Sequence, residues 1–88
     1  MSSVHSHRLA QIIAAIVSKL PSVDAGELSE ETNLYDMGMD STGAVAVMLC
    51  LEEQFAVIFP ESMIDEATFR SPGALCRAID ALMEGRAP

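Results

Sequence analysis

The sequence predicts an all-α protein: a small four-helix bundle of three long helices plus a short helix III. Three observations predict it. Apolar residues recur at helical spacing in three separate stretches. Only Tyr35 and three phenylalanines are aromatic, so the core must be mostly Leu, Ile, Val, Met and Ala, a set that favours helices over sheets. Proline and clusters of Gly, Ser, Asp and Asn punctuate the chain between those stretches. With 88 residues, half of them hydrophobic, the chain is expected to be one domain that needs neither metal nor crosslink.

Helix I is expected over His5 to Leu20. Leu9, Ile12, Ile13, Ile16, Val17 and Leu20 fall on one face, Arg8, Gln11, Ser18 and Lys19 lie off it, and Pro21 stops it. A long connection follows to Asp40, with Leu28, Leu34, Tyr35 and Met37 as its apolar pins and a single turn in "SEETNL". Helix II should start at Asp40 or Ser41 and end near Phe55. Val47, Leu51 and Phe55 make its core stripe, with Met48 beside it. Thr42, Val45 and Leu49 make a second stripe that a helix with one buried face does not need. Ala56 to Phe59 reads as an extended connector, followed by a short irregular helix III around Ser62 to Glu66. Helix IV has the clearest start, Ser71 as N-cap and Pro72 at its first position. Its core face is Leu75, Ala78, Ile79, Leu82 and Met83, and Gly85 ends it.

A formal charge of -8, from 13 acids against 5 bases, argues against nucleic acid, which requires clustered Lys and Arg. It suits partner enzymes with basic docking patches. Cys50 and Cys76 lie in apolar helical patterns, form neither a CxxC nor a zinc spacing, and read as reduced thiols. The start is polar and no apolar run approaches ~18 residues, so neither a signal peptide nor a membrane partner is expected, and the cytoplasm is the default location. Asp36, Asp40 and Thr42 are spaced like calcium-loop ligands, but Val47 stands where the bidentate acid belongs. The pair His5 and His7 is too sparse for a metal site.

One hydroxyl stands apart. Ser41 follows Asp40 and precedes a charge-free run from Gly43 to Leu51. On position alone a helix cap accounts for it, at about 1 kcal/mol, although Ala44 leaves the capping box incomplete. A covalent attachment site accounts for it too. A helix N-terminus tolerates an esterified phosphate, Gly38 allows a tight turn ahead of it, and Thr42 and Gly43 add little bulk after it. Neither histidine is nearby in sequence, so Ser41 is not the nucleophile of a self-contained hydrolase.

The stretch "LYDMGMDSTGAVAVMLCLEEQFAVIFP", Leu34 to Pro60, resembles the acyl and peptidyl carrier proteins. Their pattern is matched by Leu34, Met37, Gly38, Asp40 and Ser41, then by Glu52, Glu53, Phe55 and Pro60. "FRSPGAL", Phe69 to Leu75, resembles the family's lead into its last helix. The resemblance implies a single phosphopantetheine-binding carrier domain over 1–88, with its core at about 5–84. It implies that a separate phosphopantetheinyl transferase moves 4'-phosphopantetheine from coenzyme A onto Ser41, recognising Gly38, Asp40 and Thr42. The chain would then be no enzyme itself but, alone, a monomer that passes a thioester cargo between a loading ligase and downstream transferases.

The chain departs from the family where docking is decided. Thr42 replaces the usual apolar residue, and Gly43 and Ala46 stand where fatty-acid carriers often have acids. Docking is expected to use Asp36, Met39, Val45, Ala46, Leu49 and Glu53, by apolar contact more than by salt bridges. The pattern is similar to small discrete carriers outside primary fatty-acid synthesis. Some of these are loaded with an amino acid by ligases related to class II aminoacyl-tRNA synthetases; others serve polyketide, nonribosomal peptide or special lipid synthesis. A small amino acid is the expected cargo, with an acyl carrier as the alternative. A different class of answer, a non-catalytic helical interaction module with Ser41 as a mere cap, stays open at this point.

Overall fold

The computed structural model of the chain describes residues 3–85, with side chains from residue 6 onward. Three helices, α1 (Ser3–Lys19), α2 (Ser41–Phe55) and α3 (Pro72–Gly85), are joined by two long connections. Each connection holds one 3-10 turn, Ala25–Glu27 in the first and Glu61–Met63 in the second, and no strand occurs among the described residues. The small helical bundle expected from the sequence is present.

α1 forms where its periodicity lies. Ile12 and Ile16 are fully buried with Ala15 between them, and Leu9, Ile13, Val17 and Leu20 pack partly buried around them. The Leu20 N–H still donates to the Ile16 carbonyl (2.9 Å) before Pro21 ends the helix. α1 packs against both other helices. Arg8 pairs with Asp80 on α3, and Leu20 lies where a Cβ on Gly43 of α2 would fall, 2.9 Å away. The C-terminus of α1 therefore meets the N-terminus of α2, and α1 runs antiparallel to both partners. The Arg8–Asp80 pair is partly exposed and contributes at most about 1 kcal/mol; burial of the apolar face holds the helix.

The first connection is folded throughout its length. Asp24 caps the 3-10 turn by accepting from the Gly26 N–H. A turn at Ser29–Thr32 follows, where the Ser29 N–H donates to the Thr32 hydroxyl (2.8 Å), as expected of "SEETNL". The Asn33 carboxamide then accepts from the Tyr35 N–H (2.9 Å), and the Leu34 carbonyl accepts from Met37 (3.0 Å) and Met39 (3.1 Å). Leu28 and Leu34 are buried and Tyr35 and Met37 partly so, as expected, but Val23 and Met39 are core residues as well. Two bonds to the far side of the bundle secure the loop: Leu34 N–H to the Arg70 carbonyl (2.7 Å) and Gly73 N–H to the Glu30 carbonyl (2.8 Å).

α2 ends on Ala56, in the left-handed region at φ 56° and ψ 46°, and the Ala56 and Val57 N–H groups both reach the Glu52 carbonyl. The Glu52 carboxylate accepts from the Phe59 N–H (2.8 Å). One residue thus terminates the helix and fastens the extended connector behind it. Helix III is shorter and earlier than expected, a single 3-10 turn at Glu61–Met63 in place of Ser62 to Glu66. The reason is Asp65, whose carboxylate accepts from the Thr68 N–H (2.8 Å) and starts a separate turn instead of letting a helix run on. Phe69 then packs on Phe59, ring centroids 5.3 Å apart.

α3 begins as its sequence dictates. The Ser71 hydroxyl accepts from the Ala74 N–H (3.1 Å), and Pro72 occupies the first position. Leu75, Ala78 and Ile79 are buried, joined by Cys76, while Leu82 and Met83 pack at the edge. Neither cysteine is in a disulfide; Cys76 is buried, and Cys50 only partly so.

Candidate functional site

The site is built where α2 begins. Gly38 has φ +104°, a conformation side chains rarely adopt, and it lets the chain reverse just ahead of the helix. Met39 then points inward, 3% exposed and part of the core. Its expected place among the docking residues is corrected here: it anchors the turn and has no surface to offer. Asp40 follows in an extended conformation and is the N-cap, its carboxylate accepting from the Gly43 N–H at 2.8 Å.

That assignment decides what Ser41 is not. The sequence allowed either residue to cap the helix; Asp40 does so, and Ser41 is the first helical residue. Its side chain is exposed and makes no hydrogen bond among the described residues. The N–H groups of Ser41 and Thr42, in the first turn, have no intrahelical acceptor. His7 lies on α1 thirteen residues back from Leu20, about 20 Å along the helix, too far to take a proton from Ser41. The hydroxyl is available, and the one histidine whose side chain is described is not placed to activate it.

Around it, Thr42, Val45 and Leu49 lie outward along α2, Val45 and Leu49 being 47% and 55% exposed. Asp36 and Glu53 are exposed, and Ala46 is half-buried. The second apolar stripe of α2 is therefore uncovered. Of the paired acids that end the helix, Glu53 faces solvent while Glu52 serves the fold.

A groove of about 250 Å³ opens beside the serine, lined by Tyr35, Asp40, Ser41, Ala44, Val45, Met48, Ile64, Asp65 and Phe69. Its far wall, Ile64 to Phe69, was not anticipated as part of the site. The one hint in the sequence is an exposed isoleucine set beside acids in "MIDEATF". The Thr68 backbone N–H, and then its hydroxyl, hold the Asp65 carboxyl below its ordinary range. Partial burial, followed by the charge of Glu66, pushes the Tyr35 phenol up, so it remains protonated at neutral pH. A second hollow, about 440 Å³, sits at the other end of α2 and α3 among Val57, Ile58, Met63 and Leu82.

A phosphate ester at Ser41 fits this arrangement. The oxygen is exposed, small residues flank it, unpaired N–H groups and the positive end of a fifteen-residue helix lie under it, and an apolar groove begins alongside. Comparison with known proteins places the chain in a family. The family described as "Phosphopantetheine attachment site" matches residues 11–79, and the chain belongs to that family. Over 59 residues it is 31% identical to the aminoacyl carrier protein of Agrobacterium fabrum, covering 67% of this chain and 71% of that protein. It is 29% identical over 73 residues to aminoacyl carrier protein 2 of Bradyrhizobium diazoefficiens, covering 83% and 80%. Identity to the acyl carrier protein of Prochlorococcus marinus is 35% over 54 residues, covering 60% and 68%. The protein is accordingly a carrier of acyl or aminoacyl groups on covalently attached 4'-phosphopantetheine.

Proposed function

We propose that Ser41 is the attachment residue, that the whole of 1–88 acts as one carrier domain, and that its cargo is a small amino acid. The observation that carries the reading is the free Ser41 hydroxyl: with Asp40 holding the cap, the side chain has no structural task and stays open to a transferase. When bound, the prosthetic group supplies a terminal thiol that holds the cargo as a thioester. The chain's own residues present and position. Gly38 and buried Met39 set the turn, Asp40 fixes the first turn of α2 and keeps a carboxylate next to the serine, and Thr42 leaves the approach clear.

Docking of the transferase, of the loading ligase and of later transferases falls on α2 and the turn that leads into it. Val45, Ala46 and Leu49 supply apolar contact, and Asp36, Asp40 and Glu53 supply charge. Catalysis belongs to those enzymes. The aminoacyl cargo is supported by the two relatives named aminoacyl carrier protein; a class II synthetase-like ligase is the loading enzyme this reading calls for, and the cytoplasm is its setting. An acyl cargo is the second reading, favoured by the largely apolar walls of the groove and by the relative named acyl carrier protein.

Coexpression with a broad-specificity phosphopantetheinyl transferase tests the attachment. The intact mass is expected to rise by one phosphopantetheine in the wild type and to stay unchanged in Ser41→Ala. A modified Ser41→Ala protein would move the site elsewhere. Incubating the modified protein with ATP, amino acids and lysate is then expected to add the mass of a small amino acid; exclusive malonyl or long-acyl loading would transfer the protein to the second reading.

A further inference from the structure

The hollow where α2 and α3 end lies away from Ser41 and has no part in the attachment site. No polar side chain lines it; Ala56, Ile58 and Met63 come from the second connection, and Ala81, Leu82 and Gly85 from α3. Ile58 is 76% exposed, the most of the large hydrophobic residues described. Its neighbours Val57 and Phe59 are core residues. Glu52 holds both, the Val57 N–H on its carbonyl (3.2 Å) and the Phe59 N–H on its carboxylate (2.8 Å). Clamped on either side, the backbone cannot turn Ile58 inward without breaking those bonds. Single exposed apolar side chains are ordinary. One fixed outward beside an apolar hollow makes a contiguous patch, the mark of an interaction surface.

The electrostatics of this end select the partner. Ala56 is the C-cap of α2 and Gly85 the last residue of α3, so the negative poles of both helices converge on the hollow. Exposed Glu53 stands one turn before Ala56, Glu61 follows Pro60, and Glu84 is one turn after Ala81. Of the bases on the adjoining helices, Arg8 is paired with Asp80. Arg77 reaches toward the start of α3, its Nη1 3.5 Å from the place of a Cβ on Gly73. Arg86, which follows Gly85, lies outside the described residues; counted, it leaves three acids against one base. An anionic lipid surface and a second copy with the same charge of -8 are both repelled. A segment with apolar side chains flanked by Lys or Arg is attracted, and those cations can donate to the last carbonyls of the helices.

We infer that this hollow is a docking site for a basic amphipathic segment of a partner protein. Ser41 to Phe55 spans about 21 Å along α2, so a partner seated here leaves the serine open. On the carrier reading, the site tethers the chain to an assembly while other enzymes work at Ser41; the docking itself does not depend on that reading.

The test uses the full chain, isotope-labelled, with a synthetic helical peptide of leucine and lysine as the probe and its leucine–glutamate counterpart as control. In NMR titration the lysine peptide should bind saturably and move the signals of Ile58, Met63 and Leu82, while those of Val45 and Leu49 stay. The glutamate peptide should do neither. Ile58→Ser, at an exposed position, should weaken binding about tenfold, the loss of one aliphatic contact. Glu61→Gln with Glu84→Gln should weaken it more than Glu27→Gln with Glu31→Gln, an equal charge change on the first connection. With the peptide saturating, a phosphopantetheinyl transferase should still add its mass to the chain. Shifts centred on Val45 and Leu49, or equal effects of the two acid pairs, overturn the inference. So does self-association without peptide that Ile58→Ser abolishes, or movement of the same signals by phosphatidylglycerol vesicles and not by the peptide. Mass gain lost only when the peptide is bound refutes the tether. Failure of the mass gain without peptide strikes the attachment reading and leaves the docking site standing.

Discussion

Asp40 and Ser41 are adjacent, both carry oxygens suited to a helix start, and only one is used there. The Asp40 carboxylate satisfies the Gly43 N–H, while the Ser41 hydroxyl bonds to nothing among the described residues. The two substitutions therefore separate stability from function. Asp40→Ala should cost about 1 kcal/mol, the usual value of a lost N-cap, read as a lower urea midpoint. Ser41→Ala should leave the midpoint within roughly 0.5 kcal/mol of wild type, as for other exposed positions, while abolishing the mass gain. Equal destabilisation by both would mean that Ser41 shares the cap and that its freedom is illusory. Glycine matters at residue 38 for a different reason: with φ at +104° and nothing within 4 Å of an added Cβ, the obstacle to a side chain is conformation and not space.

At the scale of elements, the site depends on how the first connection is fastened to α3. A Cβ on Gly73 would lie 2.6 Å from the Glu30 Cγ and 2.7 Å from the Glu30 carbonyl oxygen, and that carbonyl accepts from the Gly73 N–H. A flexible side chain could yield, but the carbonyl is backbone, so the loop itself has to move. Gly73→Ala should cost about 1–3 kcal/mol, the range for overpacking, and should raise amide exchange at Leu34, whose N–H is held one turn away by the Arg70 carbonyl. Unchanged exchange there would show that the two attachments are independent. The clasp explains which parts of the fold were legible beforehand. The three helices announce themselves through Ile12 and Ile16, Val47 and Leu51, and Leu75 and Ile79, because a buried face writes its period into the sequence. Ser71 and Pro72 announce a start through local chemistry alone. The burial of Val23 and Met39, the closing of "SMIDEATF" into two turns and the Ile64–Phe69 wall of the groove have no such period. They are set by contacts between segments far apart in sequence. Likewise Ser41 stood out as a candidate, but the competition it wins by losing the cap is settled only by the backbone at Asp40.

For the whole molecule, a charge of -8 is tolerable because the acids lie mostly on the surface; the titratable groups that burial does reach, Cys76 in the core and Tyr35 packed against it, ionise only in alkali. Burial raises the Cys76 thiol above its ordinary 9.0, with the charge of Asp80 acting the same way. Burial raises the Tyr35 phenol above its ordinary 10.0 as well, with Glu66 next. In both cases the folded protein holds the proton more firmly than the unfolded chain. The stabilisation is therefore fully present below the unfolded values and is lost as pH rises through the folded ones, since the unfolded chain releases its protons first. Each group can change stability by at most about 1.4 kcal/mol per pH unit, and the negative charge already present adds repulsion in the same direction. The urea midpoint should be nearly level from pH 7 to about 8.5 and fall steadily by pH 10. Cys76→Ala should begin lower, because it leaves a cavity in the core, yet fall less steeply between about pH 8.5 and 9.5, where only the wild type has this thiol to ionise on unfolding. Parallel curves for the two proteins would mean that the thiol is not coupled to folding and that the alkaline loss is one of surface charge alone.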